Sequence, residues 1–273
     1  MSQHYLATCF WNVRDITAVI PALTEIVSEH EVDVIALAEC TMTSGELAHQ
    51  LTQATGAQFF SDILPSGERI TWAYRTTVSV SPVFDGDKVS IREVRPPLGD
   101  PVLVCAIHAS SRISRDLAEL NVLIPRAAAA VFSAEAQVGH DRTVVCGDFN
   151  LSPYDEGLVS SESFHAVMSR ATARRGQRVV YERPRKFFYN PMWRLLAEDD
   201  EVCGTYYFGS NSPLEHFWYC MDQMLFRPSL LDHLPKVPVK IIKTTANHNL
   251  IGLNGRPSLS DHLPLVGRLT LSS

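Results

Sequence analysis

Along this chain, apolar runs repeatedly end in a side chain fit for chemistry. Asn12 closes the run from Tyr5, Glu39 follows Val32 to Ala38, and His108 follows Val102 to Ile107. Asp148 and Asn150 flank Phe149 just after Val144 to Cys146 and a glycine. Asp222 lies in the run Trp218 to Phe226, and Asp261-His262 precedes Leu263 to Leu271. Any one of these reads more readily as a strand emerging into water, and Asp148 to Pro153 equally well as an Asx-capped turn. The set is different, because it gathers carboxylates, two imidazoles and two carboxamides and almost no lysine or arginine. A hard cation such as Mg²⁺ takes carboxylate oxygen and keeps some of its water. Hydrolysis of a phosphate ester also needs a base to prepare water and a donor to stabilise the charged oxygens. Glu39 is the best single ligand for the cation, and Asp148 and His262 suit the base and the donor. A charged imidazole needs a carboxylate to hold its tautomer and raise its pKa, and Asp222 is the one at hand.

The elements that must position these groups follow from hydrophobic period. Continuous apolar runs predict buried strands at Tyr5–Asn12, Val32–Ala38, Val102–Ile107 and Thr143–Cys146. Further strands are expected over 59–64, 70–75, 77–83, 88–94, 204–208, 218–226, 237–242 and 263–271, with a turn at Ser66-Gly67. Helices are predicted from Ile16 to about His30 with Asp15 as N-cap, from Ser44 to Thr55, from Arg115 to Gln137 and from Glu156 to Ser169. Pro125 should kink the third. With 273 residues, 45% hydrophobic and 20% charged, the chain can bury a large core unaided, and one α/β domain over 1–273 is the economical reading. The formal net charge of -6 argues against an electropositive nucleic-acid coat. It leaves room for phosphate chemistry through a bound cation, which brings its own positive charge. Six cysteines without a CxxC pair read as small core residues. With no signal-like N-terminus and no apolar run long enough to span a bilayer, the cytoplasm is the expected compartment.

Trp11-Asn12, the strand into Glu39, the strand into His108, Gly147-Asp148-Phe149-Asn150, Asp222-Gln223-Met224-Leu225-Phe226 and Ser260-Asp261-His262-Leu263-Pro264 occur in that order. Together they resemble the endonuclease/exonuclease/phosphatase superfamily, which includes pancreatic-type deoxyribonucleases, apurinic endonucleases, inositol-polyphosphate 5-phosphatases and neutral sphingomyelinases. The resemblance spans residues 11 to 264. It implies a four-layer α/β sandwich of two packed mixed β-sheets flanked by helices, and hydrolysis dependent on Mg²⁺ or Mn²⁺. It further implies metal binding at Asn12, Glu39 and Asp261, with Asn12 acting directly or through water. Asp148 would orient or deprotonate the attacking water, Asn150 would bind the scissile phosphate, and His262 with Asp222 would stabilise the transition state. His108 matches the deoxyribonuclease-like and sphingomyelinase-like branches. Tyr74-Arg75 is the nearest counterpart of the family's middle-strand tyrosine or arginine.

Residues 170 to 194 match no branch and read as an insertion, in which eight basic residues interleave with Tyr181, Phe187, Phe188, Tyr189 and Trp193. Arg174, Arg175, Arg185, Lys186 and Trp193 are the residues expected to bind substrate there, since cations track phosphates and rings stack on bases. The plainer reading is a solvated loop whose aromatics pack on the core. An acidic run, Glu198 to Glu201, then reverses the charge. The expectation is a phosphodiesterase acting on DNA or RNA, single-stranded nucleic acid included. The alternatives are an enzyme for a small phosphoester and a catalytically silent binding module.

Overall fold

The computed structural model describes residues 4–15, 17–62, 70–109, 117–197, 202–211, 213 and 215–271. In chain order the strands are β1 (His4–Asn12), β2 (Val34–Ala38), β3 (Phe59–Phe60), β4 (Ile70–Arg75), β5 (Ser79–Asp85), β6 (Val89–Arg95), β7 (Val102–His108), β8 (Thr143–Asp148) and β9 (Ala166–Val167). Then follow β10 (Gln177–Val180), β11 (Arg183–Lys186), β12 (Phe188–Tyr189), β13 (Tyr206–Tyr207), β14 (Trp218–Tyr219), β15 (Asp222–Phe226), β16 (Val239–Ile241) and β17 (Leu265–Leu271). The helices are α1 (Ile20–Glu29), α2 (Ser44–Thr55), α3 (Leu117–Val138), α4 (Glu156–Val159), α5 (Arg170–Ala173) and α6 (Trp193–Leu196).

Two mixed sheets result, ordered β16-β17-β1-β2-β4-β3 and β5-β6-β7-β8-β15-β12-β9. At their centres β1 runs parallel to β2 and β7 parallel to β8, while β15 returns antiparallel to β8. Side chains alternate along each strand, so each sheet has an inner and an outer face. Leu6, Phe10, Ala36 and Trp72 of the first sheet meet Val104, Ala106, Cys146 and Met224 of the second in one core. Outside the first sheet, Trp11, Ile35 and Leu37 pack on Leu23 and Ile26 of α1 and Leu47 and Leu51 of α2. Outside the second, Cys105, Ile107, Val145 and Leu225 pack on Leu120, Ile124 and Val131 of α3. These are the four layers expected. By length and composition α3 passes as a bilayer span, but its apolar stripe is the one that covers this sheet.

Where boundaries differ, local chemistry explains the difference. α2 starts as predicted because Thr43 and Glu46 form a reciprocal capping box, and it stops at Gly56 in the left-handed region. α1 starts four residues later than expected. A 3₁₀ turn at Thr17–Val19 precedes it, Pro21 occupies its first turn, and Asp15 is no cap but a left-handed residue with φ 56°. The helix expected to reach Ser169 ends at Val159, where the Ser163 hydroxyl donates back to the Gly157 carbonyl and closes a loop. The expected strand 218–226 is two strands broken at Cys220-Met221. Residues 170–194 are no open loop either: they supply α5, the β10–β11 hairpin, the sheet strand β12 and α6. The Ser66-Gly67 turn and the Glu198 to Glu201 run lie outside the described residues.

Candidate active site

The inward stripe of each central strand ends in a polar residue where the sandwich opens. Asn12 continues Leu6 and Phe10, His108 continues Val104 and Ala106, Asp148 continues Val144 and Cys146, and Asp222 precedes Met224 and Phe226. Register then sets them side by side, with His108 opposite Asp148, Asp148 opposite Asp222, and Asn12 opposite Ala38. Glu39 shares the parity of Ile35 and Leu37 and should therefore face outward. Its left-handed backbone (φ 49°) reverses the alternation, and its carboxylate joins the inner group. Gly147 allows β8 to approach β7, since a Cβ there would lie 2.1 Å from the Ile107 carbonyl oxygen.

A continuous set of polar contacts follows. Glu39 Oε1 lies 3.1 Å from His108 Nε2 and accepts from Asn12 Nδ2 at 3.3 Å. The same Asn12 amide donates to Asp148 Oδ2 at 3.2 Å. Its carboxamide oxygen accepts from the Arg14 amide, so Asn12 aligns the two carboxylates. Asp148 Oδ2 is 4.0 Å from His262 Nε2, and His262 Nδ1 is 2.8 Å from Asp222 Oδ2. The Asn150 amide donates to Asp148 Oδ1 at 2.9 Å, in a left-handed turn (φ 52°) that also sends its side-chain amide to the Ala109 carbonyl. The Ser260 hydroxyl binds the Asn12 carbonyl and the Trp11 indole binds the His262 carbonyl, which pins the 260–262 turn to β1. Asn12, Glu39, His108, Asp148, Asn150, Asp222, Asp261 and His262, scattered through the chain, thus meet in one cleft.

Burial alone would push the His262 imidazole down. The carboxylates of Asp222 and Asp148, the Asp222 hydrogen bond and the charge of Asp261 outweigh it and hold the pKa up at about 10. Burial raises Asp148, the direction that makes a carboxylate a better base, and the charge of His262 opposes it only in part. Glu39 is pulled down to about 2, chiefly by the hydrogen bond from His108, against the opposing effect of partial burial. Asp148, Asp222 and His262 offer ligand atoms within 4.8 Å of one another, close enough to hold a metal ion by spacing. A protonated imidazole cannot donate a lone pair, however, and its charge already sits between those two acids. The half-exposed Glu39 fits a hard cation better. It is ionised throughout the ordinary pH range, and its described hydrogen bonds both end on Oε1. Two buried polar atoms here, His108 Nδ1 and Asp222 Oδ1, have no hydrogen-bond partner among the described residues.

The residues expected to bind substrate separate into two groups. Trp193, on α6, sits edge-on to Tyr154 in the turn that follows Asn150. Arg185 and Lys186 lie elsewhere: Lys186 pairs with Asp141, just before β8, and Arg185 with Glu162. Arg174 pairs with Asp232, in the 3₁₀ turn beyond β15, and Arg175 is exposed after α5. The start of β8 is about 17 Å along the strand from Asp148. The structure therefore does not bring these cations to the cleft, and Phe187, Phe188 and Tyr189 between them are buried. Tyr74 and Arg75 are also remote. Tyr74 donates to Asp62 inside the sandwich, and Arg75 binds the Val32 and Val27 carbonyls at the far end of β4.

Two residues at the cleft escape sequence reasoning. Arg14, in a left-handed turn (φ 48°), places Nη1 3.2 Å from Asp261 Oδ2. The Tyr206 ring lies 4.7 Å from the His262 imidazole. The only hints in the sequence are the Arg14-Asp15 pair after Trp11-Asn12 and the Tyr-Tyr-Phe run at 206–208.

The sequence profile described as the Endonuclease/Exonuclease/phosphatase family matches residues 9–262. No curated protein sequence matches. Solved structures similar in fold include an endonuclease/exonuclease/phosphatase family protein from Bacteroides thetaiotaomicron, with TM-score 0.60, 14% identity and 100% of each chain covered. D. rerio TDP2 complexed with single strand DNA product aligns with TM-score 0.57 and 14% identity over 97% of this chain and 98% of that one. The human Nocturnin catalytic domain with bound sulfate anion aligns with TM-score 0.54 and 11% identity over 99% and 97%. With its polar strand ends gathered in one cleft and the profile matched over nearly its whole length, the chain belongs to the endonuclease/exonuclease/phosphatase family.

Proposed function

We propose that this protein is a divalent-metal-dependent phosphodiesterase that hydrolyses nucleic acid by in-line attack of water. The observation that carries the reading is the contact series from Glu39 through Asn12 and Asp148 to His262 and Asp222. It sets a free-edged carboxylate, a raised carboxylate and a charged imidazole around one space. Glu39, with Asn12 aligning it and Asp261 nearby, would hold Mg²⁺ or Mn²⁺. When bound, the cation neutralises charge on the phosphate oxygens. Asp148, raised by burial and oriented by Asn12 and the Asn150 amide, takes the proton of the attacking water. His262, kept protonated by Asp222, donates to the oxygen on which charge accumulates. His108 braces Glu39, and Asn150 directs its side chain toward the phosphate once substrate displaces the Ala109 contact. The nucleic-acid assignment is supported by two neighbours of like fold, TDP2 with single strand DNA product and the endonuclease domain of TRAS1.

A smaller phosphoester is the second reading. It is favoured by the distance of Arg185 and Lys186 from the cleft and by the neighbour ANGEL2, a 2',3'-cyclic phosphatase. The test is hydrolysis of plasmid, single-stranded DNA, RNA and nucleotide monophosphoesters with Mg²⁺, and again after EDTA. Polymer cleavage that stops with EDTA is expected. Monoester cleavage alone would move the assignment to the second reading, and cleavage indifferent to EDTA would overturn the metal.

A further inference from the structure

Residues 204–208 and 217–219 pair antiparallel beside the catalytic imidazole. Tyr206 bridges His262 through the main chain, and the Leu263 amide donates to the Thr205 carbonyl at 2.7 Å. Gly204 permits the crossing, since a Cβ there would meet the Tyr219 backbone at 2.7 Å. Tyr207 pairs with Trp218, and the Phe208 amide donates to the Phe217 carbonyl. Alternation puts Tyr206 and Phe208 on one side and Tyr207 on the other. Tyr207 is held from behind by the Trp218 ring at 5.4 Å and the Arg256 guanidinium at 4.6 Å. Phe217 turns to the same side through a left-handed backbone (φ 65°) and stacks on Tyr207. Glu215 stiffens this pair, accepting from the Ser210 amide and hydroxyl, the Phe217 amide and the Tyr219 hydroxyl. On the remaining face the Tyr206 ring adjoins His262, and Phe208 stands 44% exposed one step further out.

We propose that Tyr206 and Phe208 form a stacking platform for single-stranded nucleic acid, receiving the bases next to the scissile phosphate. Two residues along a strand place same-face rings about 7 Å apart, twice the 3.4 Å rise of stacked DNA. That spacing suits bases pulled out of the stack and mismatches those of a duplex. Aromatic faces accept any base, so the platform confers strand-type preference with little sequence preference. Positive charge for the strand's backbone lies close by, with Arg14 at the Asp261 rim and Arg256 behind Tyr207. Neither belongs to the basic stretch at 170–194, whose Arg185 and Lys186 pair at the other end of the sheet.

The inference rests on the nucleic-acid reading above, and the experiment separates the two. Phe208→Ala and Phe208→Trp are compared with wild type for binding a labelled short oligothymidylate in Ca²⁺, for binding a duplex, and for hydrolysis of bis(p-nitrophenyl) phosphate in Mg²⁺. Phe208→Ala should weaken the single strand about tenfold, the scale of one lost base stack. It should leave the duplex and the small diester unchanged, and Phe208→Trp should restore the single strand. An unchanged single-strand affinity, or an equal loss for the duplex, overturns the platform while leaving a nuclease intact. Wild type that hydrolyses the small diester but binds no oligonucleotide overturns the nucleic-acid reading and the platform with it. Loss of binding to anionic phospholipid vesicles with oligothymidylate affinity intact would assign these paired strands to a lipid surface instead.

Discussion

The two ends of β8 and β15 carry buried charge in opposite ways. At the far end Arg227 and Glu135 are both buried and form a two-pronged ion pair at 2.7 and 2.8 Å. Glu135 also accepts from the Thr143 hydroxyl, and Arg227 also donates to the Phe187 carbonyl. The Arg227 guanidinium lies 4.0 Å from the Phe188 ring centre and 5.0 Å from that of Phe132. That pair is neutral and its charged atoms are hydrogen-bonded to each other. At the near end Asp148, Asp222, Glu39 and Asp261 surround one charged imidazole, with Arg14 on the rim as the paired guanidinium. Among the described residues acids outnumber cations there, and two buried polar atoms lack partners. A buried pair that balances itself has nothing left to offer a ligand, whereas an unbalanced group keeps charge that a ligand can meet.

If that contrast is right, mutations at the two ends fail in different assays. Asp148→Asn or His262→Ala should lower kcat/KM by about 10³-fold or more, the scale for losing a general base or a charged donor. The fold should survive, as judged by circular dichroism and urea unfolding. Activity retained in either variant breaks the assignment of this end to chemistry. Arg227→Met should behave in the reverse manner. It strands Glu135 in the core and should cost about 3–5 kcal/mol in urea unfolding, with kcat of the protein that remains folded unchanged. A large fall in kcat without a loss of stability would erase the distinction.

The near end was legible in the sequence for a physical reason. Asn12, His108, Asp148 and Asp222 each continue a period-2 stripe of core residues, so a run of alternating positions predicts both their strand and their face. Glu39 was legible as a strand end, but its face was not, because one left-handed residue reverses it. Arg14 sits on irregular backbone and Tyr206 on a strand of two residues, and both touch partners distant in the chain, so no local period announces them. The basic stretch misled for the complementary reason. Composition reveals that arginines cluster, but not which end of a strand they reach or that Asp141, Glu162 and Asp232 wait there. Buried ends of strands are encoded locally, while the pairing of surface charge is encoded by the fold.

The near end should also show a pH dependence. His262 is held at about 10, against an ordinary value of 6.5. Its raised pKa contributes stability that is present in full below 6.5 and is lost as the pH climbs through about 10. The alkaline limb of kcat/KM in Mg²⁺ should fall in the same upper range. Asp222→Asn removes the largest stabilising charge and lets burial weigh more, so the limb should move toward neutrality. Urea unfolding of this variant should change less between neutral and alkaline pH than wild type does. A limb that stays in place would mean that some group other than His262 sets it.

The smallest effect expected is the most pointed test of the comparison. Arg185 and Lys186 are the cations that sequence composition favours most, yet their ion pairs with Glu162 and Asp141 each keep one partner more than half exposed. Exposed pairs contribute at most about 1 kcal/mol, so Arg185→Ala with Lys186→Ala should barely shift urea unfolding. For a short single strand spanning only the cleft, kcat/KM should stay within about twofold, because the pairs lie about 17 Å along β8 from Asp148. A long strand could still reach them. Its affinity would then fall in the double variant and its dependence on salt would flatten, since fewer counterions are released. A loss confined to long substrates would make the far end an auxiliary track, with its acids giving way to phosphate. An equal loss on short ones would place these cations in the cleft and break the division between the two ends.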